Sequence, residues 1–275
     1  MIVSEAIRAA AERLSAGSDT ARLDAEVLMA HALGVSRSDM ILRHMRGAEP
    51  AGFAALVARR ARHEPVAYIV GEQAFHGHAL RVSPAVLIPR GDSETLVDAA
   101  LAARPHARRV LDCGTGSGAL LLAVLAALPD ACGTGIDRSS RALAVAAGNG
   151  QRLGLAARAA FLQRDWTRPG WDAGLGGHDL ILANPPYVEA GADLAPSVAA
   201  HEPAGALFAG ADGLDDYRHL IPALPRLLAR GGAAMVEIGA AQAGAVRALA
   251  GAEGLAAVLH RDLAGRARVL ELAPA

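Results

Sequence analysis

Two short segments carry side chains whose types and spacing suit chemistry on a nitrogen. The apolar run Asp179-Leu180-Ile181-Leu182-Ala183 ends in Asn184-Pro185-Pro186-Tyr187, and upstream a similar run ends in Gly114-Thr115-Gly116-Ser117-Gly118. An amide or aromatic-amine nitrogen is a weak nucleophile because its lone pair is delocalised into the neighbouring π system. A site that alkylates it must accept hydrogen bonds from its N–H groups and hold it in line with the leaving group. The Asn184 side-chain oxygen can accept one such bond. Two consecutive prolines restrict the backbone, so the Pro185 carbonyl is a second acceptor at a set position. Tyr187 offers a flat face for stacking. No strong base is required, because a proton leaves easily once the nitrogen is cationic. The bland alternative for Asn184 to Tyr187 is a turn closing a strand. Taken with the glycine loop, they suggest a methyl donor held beside a planar nitrogen, with Asn184, Pro185, Pro186 and Tyr187 as candidate catalytic and substrate-binding residues.

The donor side rests on three successive strand ends. Gly114, Gly116 and Gly118 allow a sharp turn from strand to helix and close backbone approach to a ligand, with Thr115 and Ser117 between them. Asp137 ends the next expected strand at the spacing of a carboxylate that accepts bonds from both ribose hydroxyls. Asp165 and Trp166 follow the third strand and suit the edge and face of an adenine. A dinucleotide would prefer the G-x-G-x-x-G spacing, whereas these glycines fall as G-x-G-x-G, and Asn-Pro-Pro-Tyr has no evident hydride-transfer role. S-adenosylmethionine fits better. Gly114 to Gly118, Asp137, Asp165, Trp166 and Asn184 are the candidate cofactor residues, and no metal set is evident.

The elements that must position these residues read in two blocks. Residues 2–14, 21–33, 39–43 and 51–63 have helical patterns with turn punctuation, and Pro65 is expected to end the region. Residues 74–83 look like a β-hairpin with Gly77 at its turn. From residue 92 onward helix and strand alternate: helices at 92–103, 118–127, 139–153, 213–229 and 241–250, and strands at 109–113, 132–136, 159–163, 179–183, 233–238, 255–260 and 267–272. Continuous apolar strands in such alternation predict an α/β, doubly wound, mostly parallel seven-stranded sheet, with ligands at the carboxyl ends of its strands. The expected domains are a helical domain at 1–73, a hairpin linker at 74–91 and a catalytic domain at 92–275.

Composition narrows the function classes. The 275 residues are 52% hydrophobic and 20% charged with a formal charge of −1. All 27 basic residues are arginine, balanced by 28 acidic ones, so the basic footprint of a nucleic-acid binder is absent. Cys113 and Cys132 cannot make a disulfide framework and read as core packing. Residues 1–16 lack the apolar core of a signal peptide, and no apolar run is long enough for a membrane span, so the cytoplasm is the expected compartment. Arg59, Arg60, Arg62 and His63 complement a helix C-terminus. His76 and His78 look like two residues of one strand face with no third metal ligand, and Glu237 either lines the pocket or caps the sheet.

These residues resemble the class I S-adenosylmethionine-dependent methyltransferases and, more narrowly, the release-factor glutamine methyltransferase family (PrmC/HemK). The resemblance is carried by Glu64-Pro65-Val66-Ala67-Tyr68-Ile69, Val86-Leu87-Ile88-Pro89-Arg90, the stretch from Val110 to Gly118, Asn184-Pro185-Pro186-Tyr187, Gly210-Ala211-Asp212-Gly213-Leu214-Asp215, and Arg261-Asp262-Leu263-Ala264-Gly265-Arg266. It implies methylation of the side-chain amide nitrogen of the glutamine in the Gly-Gly-Gln motif of class 1 peptide release factors. The glycine loop, Asp137, Trp166 and Asn184 would then contact the cofactor, Asn184 to Tyr187 would hold the glutamine, and the helical region would seat the release factor. Where the family usually continues Pro-Arg-Pro-Glu-Thr-Glu, this chain has Pro89-Arg90-Gly91-Asp92-Ser93-Glu94; Asp92 or Ser93 is expected to cap the following helix. The expected protein is thus a monomeric protein-glutamine methyltransferase without stable nucleic-acid or membrane binding. A ribosomal-protein glutamine methyltransferase and an adenine-N6 or cytosine-N4 nucleic-acid methyltransferase are the alternatives.

Overall fold

The structure, a computed structural model, describes residues 1–275. The chain divides into two units: Met1–Glu72 with Leu194–His201, and Gln73–Asp193 with Glu202–Ala275.

In the first unit, α1 (Val3–Leu14) buries Val3, Ala6, Ile7, Ala10 and Leu14, the recurrence of one helical face. That face meets Leu28 and Met29 of α2 (Ala21–Leu33), Met40, and Phe53 and Val57 of α4 (Phe53–Arg60). Between these, α3 (Arg37–Asp39) runs into a π turn, Met40–His44. Pro65 does not end the helical region. Its carbonyl accepts from the Tyr68 and Ile69 amides at 3.0 and 3.1 Å and starts α5 (Val66–Val70), because a fixed proline φ suits a helix entry. Two members of the basic cluster are consumed internally: Arg60 pairs with Asp24 at 2.7 Å, both nearly buried, and Arg59 pairs with Glu64. A short helix far along the chain, α9 (Pro196–His201), also belongs to this unit, with the His201 ring 3.3 Å from the Arg62 carbonyl.

The second unit begins with the hairpin β1 (Glu72–Phe75) and β2 (His78–Arg81). His76 and Gly77 form its turn, both with positive φ (46° and 77°), the type I′ geometry that matches strand twist. His76 is therefore a turn residue rather than a neighbour of His78 on one strand face; its ring faces Asp98 at 3.2 Å. A 3-10 turn, Gly91–Ser93, leads into α6 (Glu94–Ala103). Neither Asp92 nor Ser93 caps that helix, because the tight turn directs both side chains elsewhere: Asp92 reaches Arg268 at 2.9 Å.

The remaining elements are β3 (Arg109–Cys113), α7 (Ala119–Ala127), β4 (Cys132–Asp137), α8 (Ser140–Arg152), β5 (Ala159–Gln163), β6 (His178–Ala183), α10 (Asp215–Leu220), α11 (Leu224–Leu227), β7 (Leu228–Glu237), α12 (Ala243–Ala252), β8 (Leu255–Arg261) and β9 (Ala267–Pro274). They build a seven-stranded sheet in the order β5-β4-β3-β6-β7-β9-β8. It is parallel except for β9, which runs antiparallel to β7 and β8. The strand order reverses at β3, between β4 and β6, and this is where an open α/β sheet forms a ligand crevice.

The long helix expected over 213–229 is broken. Pro222 and Pro225 lack the N–H that an uninterrupted helix needs, and each sits at the start of a new short segment, so α10, a 3-10 turn and α11 replace it. Cys113 is buried as expected. Cys132 is exposed, because it is the first residue of β4 and lies at the open amino edge of the sheet.

Helix α7 is buried on nearly every side, with Ala119 to Leu125 all buried. It lies so close to β4 that a Cβ at Gly133 would come within 2.4 Å of Leu121. Leu121→Ala removes a fully buried side chain from this contact and is expected to lower unfolding free energy by about 2–5 kcal/mol in a urea titration. A value below about 1 kcal/mol would mean that this layer can collapse onto the void.

Candidate active site

The cavity at the carboxyl ends of β3, β4 and β6 measures about 320 Å³, at the small end of the range for ligand pockets. The loop after β3 forms its floor. Gly114 and Thr115 amides both donate to the Ile136 carbonyl at 2.9 Å, which ties the loop to the end of β4. Gly114 has φ 76°, and a Cβ there would lie 2.9 Å from the Trp166 ring. At Gly116 a Cβ would meet nothing nearer than 3.9 Å and would project into open volume.

Asp137 locks the second wall. One carboxylate oxygen accepts the Gly116 amide at 3.0 Å and the other accepts the Ser139 amide at 2.8 Å. It is not the helix cap, since the Ser139 hydroxyl caps α8 by accepting from Ala142. Asp137 therefore presents a pre-oriented carboxylate to the cavity. Asp165 is turned partly inward on itself: burial raises its pKa, but bonds from the Thr167 hydroxyl and amide, with Arg138 and Arg168 nearby, leave it below the ordinary value. Trp166 stands against Gly114, and its indole N–H donates to Asp216 at 2.6 Å. Burial pushes the Asp216 carboxyl up and the indole bond pulls it down.

The cavity brings together Gly114, Thr115, Gly116, Ser117, Asp137, Asp165, Trp166, Asn184 and Pro186. Gly118, Pro185 and Tyr187 are not on its wall. Gly118 is packed against Leu122 and Ala146, Pro185 is buried, and Tyr187 packs into the apolar cluster around Tyr217 and Val236. Asn184 is half-buried, with its amide nitrogen 3.3 Å from the Ser93 hydroxyl. The Tyr187 carbonyl accepts from Gln242 at 3.1 Å, and burial raises the pKa of its phenol. These bonds hold both ends of the Asn184-to-Tyr187 segment.

Four residues that support the site escaped the sequence reading. Asp112 lies buried beneath the glycine loop, where it accepts the Thr115 hydroxyl at 2.6 Å; burial pushes its pKa up to about 7, against bonds from Thr115 and the Leu121 amide. Asn149 is fully buried and bonds the Arg81 amide and carbonyl and the Ser117 carbonyl, joining the hairpin to the loop. Glu202 accepts from the Ile88 amide at 3.1 Å and from Arg90, which holds the wall formed by residues 85–90. Asp216 fixes Trp166. A polar residue within an apolar run was the one local signal, and it existed for Asp112 alone.

The loop geometry and the oriented Asp137 fit an adenosine-containing cofactor, and Asn184 lines the same cavity. Similarity runs the same way. The PrmC N-terminal domain family matches residues 5–71, and the methyltransferase small domain family matches residues 92–203. A ribosomal protein L11 methylase from Lactobacillus delbrueckii subsp. bulgaricus has the same fold, with a TM-score of 0.50 at 20% identity over 71% of this chain and 84% of that one. Fold and site together define an S-adenosylmethionine-dependent methyltransferase. A release factor glutamine methyltransferase of Caulobacter vibrioides is 44% identical over 273 residues, covering 95% of this chain and 93% of its own. One from Cereibacter sphaeroides is 44% identical over 278 residues, covering 98% of each. The chain belongs to the release factor glutamine methyltransferase family.

Proposed function

We infer that the protein transfers a methyl group from S-adenosylmethionine to the side-chain amide nitrogen of the glutamine in the Gly-Gly-Gln motif of class 1 release factors. The observation that carries this reading is the placement of an amide acceptor, Asn184, on the wall of the same cavity as the Gly114 loop and Asp137. When bound, the cofactor supplies an electrophilic methyl group. Asp137 would hold the ribose hydroxyls, the loop from Gly114 to Ser117 would pass close beneath the ligand, and Trp166 with Asp165 would bound the adenine.

Asn184 would accept one N–H of the target amide through Oδ1, and the Pro185 carbonyl, although Pro185 itself is buried off the cavity wall, is the second acceptor this reading requires. Pro186 would narrow the cavity beside the planar group, and Tyr187 would brace the segment from the apolar side. No general base is assigned, because the proton lost after transfer is already acidic. The helical unit would seat the release factor. Activity as a monomer in the cytoplasm, without stable nucleic-acid binding, completes the reading; no helix is long and apolar enough to cross a membrane.

The test is transfer of radiolabelled methyl to purified release factor, with and without Gln→Ala in its Gly-Gly-Gln. Label is expected on the parent factor and absent from the variant. Label that persists on the variant, or that appears only on ribosomal protein or nucleic acid, would overturn the substrate assignment.

A further inference from the structure

The segment from Asn184 to Tyr187 must present its acceptors at set positions, yet Pro185 and Pro186 have no N–H through which a neighbour could tie it down. The grip has to come through carbonyls and side chains, and at the far end it comes from Gln242. This residue immediately precedes α12 and lies off the cavity wall. Gln242 Nε2 donates to the Tyr187 carbonyl at 3.1 Å and to the Gly213 carbonyl at 3.2 Å, and Oε1 accepts the Gly239 amide at 3.0 Å. The orientation of the Gln242 amide is thereby set: the Gly239 N–H can meet only an oxygen, which leaves both Nε2 hydrogens to the two carbonyls.

Three segments meet at this one side chain: the end of the Asn184-to-Tyr187 stretch, the loop at Gly213 and the turn after β7. That turn is itself anchored, since the buried Tyr217 hydroxyl donates at 2.9 Å to the main-chain carbonyl of Glu237, the last residue of β7. Glu237 is buried and off the cavity wall. Space around the Tyr187 carbonyl is as tight as its bonding. Gly213 has φ 68°, and a Cβ there would lie 2.4 Å from the Tyr187 oxygen and 2.8 Å from Gln242 Nε2. Beyond Tyr187 the chain is tied again, with the Val188 amide donating to the Leu207 carbonyl at 2.9 Å.

Proline rings fix φ at 185 and 186, and the residue before each proline is restricted as well, so the four residues move as a stiff unit. A shift of the Tyr187 carbonyl is carried back to the Pro185 carbonyl and to Asn184. We propose that Gln242 is a positioning residue for methyl transfer: by holding the Tyr187 carbonyl against Gly213, it sets where Asn184 and the Pro185 carbonyl meet the target amide. The proposal rests on the functional reading above. The cofactor wall is held by other bonds, from the Gly114 and Thr115 amides to Ile136 and from the Gly116 and Ser139 amides to Asp137. Loss of Gln242 should therefore fall on the transfer step and spare cofactor binding.

The experiment compares the full-length parent with Gln242→Ala, Gln242→Glu and Gly213→Ala, and adds Gln242→Ala to Asn184→Ala. In Gln242→Ala, kcat on release factor is expected to fall roughly 10- to 100-fold while Kd for S-adenosylmethionine stays within about threefold of the parent. Gln242→Glu keeps the side-chain length and an oxygen for the Gly239 amide, but once ionised it has no hydrogen for the Tyr187 carbonyl. At alkaline pH it should lose as much as Gln242→Ala, whereas a role confined to the turn after β7 would leave it at the parental rate. Gly213→Ala sets a carbon against both partners and should lower kcat in the same way. In the Asn184→Ala background, Gln242→Ala should cost less than about threefold more, as for residues that act as one unit. Parental kcat in Gln242→Glu, full additivity with Asn184→Ala, or a loss confined to cofactor binding would each overturn the proposal. A parent that leaves release factor unlabelled defeats the functional reading instead; the carbon-13 resonances of the Tyr187 carbonyl and the Asn184 side chain, expected to move together in Gln242→Glu, still report whether Gln242 sets the segment. If Gln242→Ala does not fold, Gln242→Glu decides.

Discussion

Replacing Asn184 with alanine should lower the rate of methyl transfer by roughly 10²- to 10³-fold while the protein stays folded and still takes up its cofactor. The size of the loss follows from where the side chain sits. Asn184 is the first residue beyond β6, at the strand-order reversal, and its amide is held by Ser93 rather than by solvent. An acceptor oriented before the substrate arrives stabilises developing positive charge on the nitrogen without reorganising, and alanine removes that acceptor altogether. The fold should tolerate the change because the residue is half-buried and its neighbours Pro185 and Pro186 keep the backbone course. Single-turnover transfer to release factor, paired with calorimetric titration of S-adenosylmethionine, separates the two effects. A parental rate constant in the variant would remove Asn184 from the mechanism, and a lost fold would show in the thermal transition.

The second large effect is expected at Gly114. Alanine there must adopt φ near 76°, a left-handed conformation that costs a residue with a Cβ about 1–2 kcal/mol. The added carbon would also lie 2.9 Å from the Trp166 ring. That ring cannot swing freely, because its indole N–H is bonded to Asp216 at 2.6 Å. The loop and the tryptophan wall must therefore move apart, and the cavity changes shape where the cofactor lies. Gly114→Ala should weaken cofactor binding by at least roughly tenfold and lower the melting temperature by several degrees. Combining it with Asp216→Ala, which frees the indole, should return part of the affinity if the ring contact dominates. No recovery would assign the loss to backbone strain in the loop.

Much of this molecule was legible in its local patterns. The seven strands were readable because continuous apolar runs between turn residues have little alternative to a sheet covered on both faces. The Gly114 loop, Asp137 and Asn184 were readable because each follows such a run, and the carboxyl end of a parallel strand is where an α/β sheet presents side chains to a ligand. The hairpin was legible from Gly77, although the role of His76 as its partner in the turn was not. Broken helicity after residue 220 could have been read from Pro222 and Pro225, whose missing N–H groups are a local fact.

What stayed hidden depends on partners far away in sequence. Glu202 meets Arg90 across more than a hundred residues, Asp216 meets Trp166 across fifty, and α9 joins a unit whose other members lie before residue 73. Asp112 and Glu237 differ from any other strand acid only by being buried, and burial is what moves both pKa values to about 7. By itself the sequence determined the class of fold and placed the glycine loop and the Asn184-to-Tyr187 segment at strand ends, because those follow from dihedral preference and apolar periodicity within short stretches. Only the tertiary structure decided which carboxylates lie buried beside the site and that Ser93 meets the Asn184 amide, because contacts and desolvation are set by what packs against a residue.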